Sequence, residues 1–257
     1  QRPIMMSVSV AGTTELGTVD AVDAVCDLLD DYRRQENIDI WHHVDAAYGG
    51  YFCATFRGGS SLLPERAIDA FRALARADSV TLDPHKLGFV PYACGAFLVR
   101  DAQAYAVSRI SAPYLVEDRK VDHPSWSTTF EGSRSATGAG AVWLSSRVLP
   151  LDASGHGAIL NQTLAVTQRL ADKLRRSFDN IYFTPGRDTN IVCFTLAQPG
   201  TSLRETNASI GAIIDKFRDS PHFAISRTAL GVTSYAALVD EVDQFLADPN
   251  GFAMRTI

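Results

Sequence analysis

The stretch Ser79-Val80-Thr81-Leu82-Asp83-Pro84-His85-Lys86 reads as a short strand that delivers a histidine and a lysine to its end. Apolar runs of similar length lie near 4–10, 38–44 and 93–99. Between them, Ala21 to Arg34 sets Val22, Val25, Leu28, Leu29 and Tyr32 at helical spacing, and Pro64 to Ala77 does the same with Ile68, Phe71, Leu74 and Ala75. Pro64 suits a helix start. Strand and helix alternate, which predicts an α/β domain with a mainly parallel sheet. Right-handed crossovers bring consecutive strand ends to one edge, so the residues just after Val10, Val44 and Leu82 are expected to meet there.

Three polar motifs occupy those ends: Ala11-Gly12-Thr13-Thr14, His43-Val44-Asp45-Ala46-Ala47 and Asp83-Pro84-His85-Lys86. An aspartate at the end of an apolar strand is costly to bury unless a cation meets it, and Lys86 has the same problem with opposite sign. A mutual salt bridge answers both. A cofactor bound between them answers equally: Lys86 forms an imine, and Asp45 pairs with a protonated ring nitrogen so that the ring stays an electron sink. On that reading His85 contacts a phosphate and Thr14 orients the lysine or the ring substituents; both are also accommodated as polar residues at a strand end. The residues alone leave the two readings open.

From Pro150 the pattern changes to a helix over 158–177, strands near 180–183 and 190–196, a helix over 203–218, a strand over 222–228 and a helix over 234–247. Residues 1–150 are therefore expected to form a large domain and 151–257 a small α+β domain, with a helix near 137–148 leading up to the boundary.

The composition is that of an ordinary globular chain: 257 residues, 46% hydrophobic and 21% charged, with a formal charge of −5. That acidic balance offers no electrostatic footprint for nucleic acid or an anionic membrane surface. No apolar run is long enough to span a bilayer and no signal-peptide pattern opens the chain, so a cytoplasmic location is the default expectation. The four cysteines, Cys26, Cys53, Cys94 and Cys193, are widely spaced and point to neither a disulfide framework nor a zinc site. His42, His43 and Asp45 do not make a metal cluster, because alternate residues of a strand face opposite ways. Neither a Gly-x-Ser-x-Gly elbow nor a Walker P-loop occurs, and Gly138-Ala139-Gly140 follows no strand, as a dinucleotide fingerprint requires.

The wording and order of the motifs resemble one family. Ala11-Gly12-Thr13-Thr14, then Ile40-Trp41-His42-His43-Val44-Asp45-Ala46-Ala47-Tyr48-Gly49-Gly50, then Asp78 through Lys86 to Cys94-Gly95-Ala96-Phe97-Leu98-Val99, and finally Phe130-Glu131-Gly132-Ser133-Arg134, are similar to the group II pyridoxal-phosphate decarboxylases. These include aromatic amino-acid, tyrosine and glutamate decarboxylases. The resemblance thins after Gly157. It implies the fold type I architecture of pyridoxal-phosphate enzymes, with Lys86 as the Schiff-base lysine, Asp45 as the partner of the pyridine nitrogen and Ala47 packed on the ring. Thr14 and His85 match cofactor-shell positions. Tyr114, in Ala112-Pro113-Tyr114-Leu115, falls where the family's mobile loop presents a tyrosine that helps protonate the substrate carbon after carbon dioxide leaves; a packed loop anchor fits the same spacing. Arg134 precedes a small-residue helix start, a setting for a cofactor phosphate, a partner chain or a carbonyl to be capped.

The family's large domain is longer, and its upstream half, which supplies phosphate-cradling residues and a ring that stacks on the cofactor, has no counterpart in this chain. The expectation is a pyridoxal-phosphate-dependent decarboxylase of an L-amino acid whose site is completed by a second chain, in a homo- or hetero-oligomer, or by an omitted N-terminal segment. The alternatives within the same cofactor chemistry are a carbon-carbon lyase and an aldehyde-forming oxidative deaminase; outside it, a non-catalytic scaffold subunit of a heteromer.

Overall fold

The computed structural model describes residues 3–108, 135–198, 200–222 and 224–247. They form two compact units, one of residues 1–13 with 18–162, the other of 14–17 with 163–257.

The first unit is built on four strands, β1 (Met6–Val10), β2 (Trp41–Asp45), β3 (Ser79–Leu82) and β4 (Ala96–Val99), in that spatial order. β1, β2 and β3 are parallel, with Val8 opposite His43 and Asp45 opposite Thr81; β4 returns antiparallel to β3. The mainly parallel sheet expected from the alternation is therefore present, with one antiparallel edge. Helices α1 (Val22–Glu36) and α3 (Glu65–Ala73) are the crossovers, and between β2 and α3 lie a 3₁₀ turn at Gly49–Phe52 and the short helix α2 (Cys53–Phe56). α1 ends on Asn37 in the left-handed conformation, its N–H bonded to the Arg33 carbonyl, and α3 starts directly after Pro64.

Both crossover helices cover the same face of the sheet. On that face Ser9, His42 and Val44 are buried, and Cys26 of α1 reaches both the His42 ring and the Ala73 carbonyl of α3. Phe52 and Phe71 pack their rings at a centroid distance of 6.1 Å and complete this core. The opposite face carries Trp41, His43 and Asp45 on β2 with Ser79, Thr81 and Phe97 beside them, and here Met6, Val8 and Phe97 are each more than half exposed. Helix α4 (Thr137–Val148) also belongs to this unit, and helix α5 (His156–Ser177) begins in it.

In the second unit, β5 (Ile181–Phe183) and β6 (Phe194–Leu196) pair antiparallel. Tyr182, Ala197, Phe245 and Leu246 form its core with Leu203, Leu238 and Val242 from helices α6 (Leu203–Phe217) and α7 (Ala236–Ala247). The Tyr182 hydroxyl donates to Glu241 at 2.7 Å; burial first, and then that carboxylate, push the phenol pKa up. Among its described residues the strand expected over 222–228 is absent: residues 224–230 have no regular structure, and Ile225 is 39% exposed. Alternating apolar residues make a strand only when a ladder partner receives their N–H and C=O groups, and the β5–β6 pair does not extend to them. Likewise the run expected as a strand over 190–196 is regular only from Phe194, since Asn190 is taken up by Thr163 and Thr167 of α5.

Candidate active site

The carboxyl ends of β1, β2 and β3 converge through backbone hydrogen bonds. Ala11 N–H donates to the Asp45 carbonyl at 2.8 Å, Gly49 N–H to Ala11 at 3.1 Å, Ala46 N–H to Thr81 at 3.1 Å and Asp83 N–H to Ala47 at 3.2 Å. This close seam depends on glycine: a Cβ at Gly49 would lie 2.2 Å from the Ala11 carbonyl oxygen, and Gly12 facing it has a φ of +100°. The expected meeting of the residues after Val10, Val44 and Leu82 is what the structure contains.

Asp45 ends β2 on the open face. Its Oδ1 accepts the Ala47 N–H at 3.0 Å, while Oδ2 has no hydrogen-bond partner among the described residues. Below it on the same face, the Trp41 indole donates to Ser79 Oγ at 2.9 Å, and His43 spans Ser79 Oγ at 2.8 Å and Thr81 Oγ1 at 3.1 Å, with Phe97 against its ring at 5.7 Å. His42 points the other way, into the helix-covered core, where it meets Ser9 at 2.9 Å. The strand alternation that separated His42 from His43 and Asp45 thus holds.

Lys86 sits on a tight turn after β3. Its N–H donates to the Asp83 carbonyl at 2.9 Å, and its side chain, about a third exposed at 34%, lies with Nζ 3.1 Å from Asp83 Oδ2. The salt bridge considered between Lys86 and Asp45 is therefore corrected: the acid that meets the lysine is Asp83, three residues away on the same turn. His85 is fixed alongside, with Nδ1 donating to the Cys94 carbonyl at 2.6 Å, Nε2 3.7 Å from Asp83 and its ring 4.1 Å from that of Tyr92. Asp83 was not singled out from the sequence; its place in the Asp-Pro-His-Lys turn, three residues before the lysine, was the available signal.

Of the other residues expected at the site, Ala47 joins it through the two backbone contacts above. Thr14 falls in the short stretch that groups with the second unit, where Thr189 donates to the Gly17 carbonyl at 2.9 Å. Tyr114 and Arg134 lie outside the described residues. Burial pushes the thiols of Cys26, Cys193 and Cys53 up, the last to about 11, so these three are not poised as nucleophiles. No group of three or more His, Cys, Asp or Glu side chains among the described residues can hold a metal ion, and no described helix is long and apolar enough to cross a membrane.

A lysine and two carboxylates gathered at the carboxyl edge of a parallel sheet define the class: an α/β protein whose functional groups stand where such folds bind ligands. The pyridoxal-dependent decarboxylase conserved domain matches residues 2–197. An L-tyrosine decarboxylase of Enterococcus faecium is 34% identical over 206 residues, covering 71% of this chain and 33% of that protein. A probable L-tyrosine/L-aspartate decarboxylase of Methanothermobacter thermautotrophicus is 33% identical over 187 residues, 73% of this chain and 46% of that one. Among solved structures, mouse CSAD in its apo form superposes with a TM-score of 0.68 at 20% identity, over 95% of this chain and 52% of that one, which establishes the shared fold. The chain belongs to the pyridoxal-dependent decarboxylase family. It spans between a third and a half of the length of these relatives.

The cofactor of this family is pyridoxal phosphate, and the residues present fit it. Among the described residues the Lys86 amine is partly exposed and held by a single acid, from which it can be released to an aldehyde, and the Asp45 oxygen without a partner at the adjoining strand end can take a protonated ring nitrogen.

Proposed function

We propose that this chain is the lysine-bearing part of a pyridoxal-phosphate-dependent decarboxylase, which converts an L-amino acid to its amine and carbon dioxide. The observation that carries the reading is Lys86 on the β3 turn with Asp45 at the adjoining end of β2, bound into one seam by the Ala46–Thr81 and Asp83–Ala47 backbone bonds. When bound, pyridoxal phosphate supplies an aldehyde for the lysine and a ring that accepts the electrons released as the carboxylate leaves. Asp45 holds a proton on the ring nitrogen, Ala47 packs on the ring, and Thr14, His85 and Arg134 contribute to holding the cofactor. Asp83 is the acid that pairs with the Lys86 amine when the lysine is free. Tyr114 delivers a proton to the substrate carbon once carbon dioxide has gone. Residues 1–150 belong in this reading to the large domain and 151–257 to the small one.

The half-exposed Met6, Val8 and Phe97 on the Asp45 face support a second element of the proposal: further polypeptide, from the same protein or a partner subunit, covers that face and completes the pocket. Native mass measurement tests it. A cofactor-loaded species of this chain alone, with no added polypeptide, contradicts completion.

Release of carbon dioxide from a panel of L-amino acids, with L-tyrosine and L-aspartate included because the similar proteins carry those names, tests the activity. Amine and carbon dioxide in equal amounts are expected, with Asp45→Asn reducing turnover on the order of 100-fold as the charge opposite the ring nitrogen is lost. Aldehyde and ammonia in place of amine would overturn the decarboxylase assignment.

A further inference from the structure

We infer that His156 is a positioning residue for Lys86, an inference that rests on the reading of Lys86 as the cofactor lysine. His156 opens helix α5, is 1% exposed and stands directly behind the lysine turn. Its Nε2 lies 3.3 Å from the carbonyl oxygen of Gly88, two residues past Lys86, and its Nδ1 lies 3.0 Å from the carbonyl oxygen of Leu149. Carbonyl oxygens only accept and a neutral imidazole carries one ring proton, so the ring donates to one of them at a time: from Nε2 it ties the lysine turn, from Nδ1 the loop that leads into α5. With that proton on Nε2, the ring ties the turn that carries Lys86 to the start of a 22-residue helix.

The surroundings are built for that ring. The Phe89 ring lies nearly parallel to it at 6.1 Å and the Tyr51 ring approaches at 5.5 Å. Gly88 allows the approach: a Cβ there would lie 2.5 Å from the Tyr51 ring and 2.6 Å from the Pro84 carbonyl oxygen. Phe89 then takes a φ of +57°, a conformation rare for a residue with a side chain. The turn is closed by Phe89 N–H to the Lys86 carbonyl and Val90 N–H to that of Pro84, both at 3.3 Å. The His156 ring adds, at the same 3.3 Å, a tie to the turn from outside it. Asp152 secures the other end, its Oδ1 accepting the N–H groups of Ser154 and Gly155, so that His156 projects from a fixed loop. Withdrawing the imidazole donor frees the Gly88 carbonyl and lets the Lys86 backbone wander, while Asp83 and Asp45 stay in place.

The test compares His156→Gln, which keeps an N–H donor, with His156→Met, which is of similar length and has none, in the full-length protein. Two readouts are taken. The first is hydrogen exchange of the amides of residues 86–90 in the cofactor-free protein. The second is the rate at which the Lys86 amine condenses with added pyridoxal phosphate, one water leaving as the carbon–nitrogen linkage forms, followed by absorbance near roughly 420 nm and located by borohydride reduction and peptide mass. His156→Met is expected to exchange these amides about tenfold faster and to form the linkage about tenfold more slowly, and His156→Gln to recover both to within about threefold of wild type. Equal behaviour of the two variants, at whatever melting temperature each has, overturns the positioning role. A wild-type protein that forms no linkage at Lys86 overturns the cofactor reading itself, and with it the inference.

Discussion

At the scale of single residues, the chemistry turns on which acid each cation meets. Lys86 and Asp45 are both at strand ends, yet the lysine rests against Asp83 on its own turn, leaving an Asp45 oxygen open toward the face where the cofactor is proposed to lie. The sequence pattern located Lys86 and Asp45 but did not single out Asp83, because an i, i+3 contact on a turn depends on local backbone geometry that side-chain alternation does not encode. His42 and His43 are the reverse case: period-two alternation alone separated the core histidine from the one on the open face. His42 makes a prediction of its own. Burial holds its pKa below the ordinary 6.5, against the opposing pull of Asp78, so the unfolded chain takes up a proton at a pH where the folded protein does not. Stability from the neutral ring is whole above about pH 6.5 and is lost as pH falls below it. Urea unfolding at about pH 8 and pH 5.5 should therefore show a loss on acidification that shrinks in His42→Gln; an identical loss in the variant would remove His42 as a cause.

At the scale of elements, the alternation of strands and helices in the first unit was legible to within a few residues, because each parallel strand is a short apolar run bounded by polar motifs and each crossover helix carries a clear apolar stripe. The second unit was legible in its helices and less so in its strands. Among the described residues its sheet has two strands of three residues each, too short for alternation to fix their limits, and residues 224–228 join neither. The direction of β4 was not legible either: strand run 93–99 gave position, whereas Cys94 is used to hold His85 and pairing begins only at Ala96. Helix α6 opens with a capping box, Ser202 Oγ accepting the Glu205 N–H at 3.3 Å and Glu205 accepting the Ser202 N–H at 2.9 Å, a contact that also holds the Glu205 carboxyl below the usual range. Ser202→Ala should cost about 1 kcal/mol in denaturant unfolding of the second unit. No change in the midpoint would mean that packing of Leu203 and Thr206 fixes this end without the cap.

For the molecule as a whole, the candidate site residues lie along one edge of a sheet that, among the described residues, is covered by helices on one side and left open on the other. The residues proposed to meet the cofactor's aldehyde and ring nitrogen were readable because they fall in compact motifs, each at a strand end. Those that would complete the pocket were not, since the open face gives no sign of its own of what covers it. The absorbance spectrum of the purified native protein, in whatever assembly it forms, should carry a band near roughly 420 nm that is absent from Lys86→Ala; a colourless wild type supplied with pyridoxal phosphate and its natural partners, or a band that survives Lys86→Ala, would contradict it.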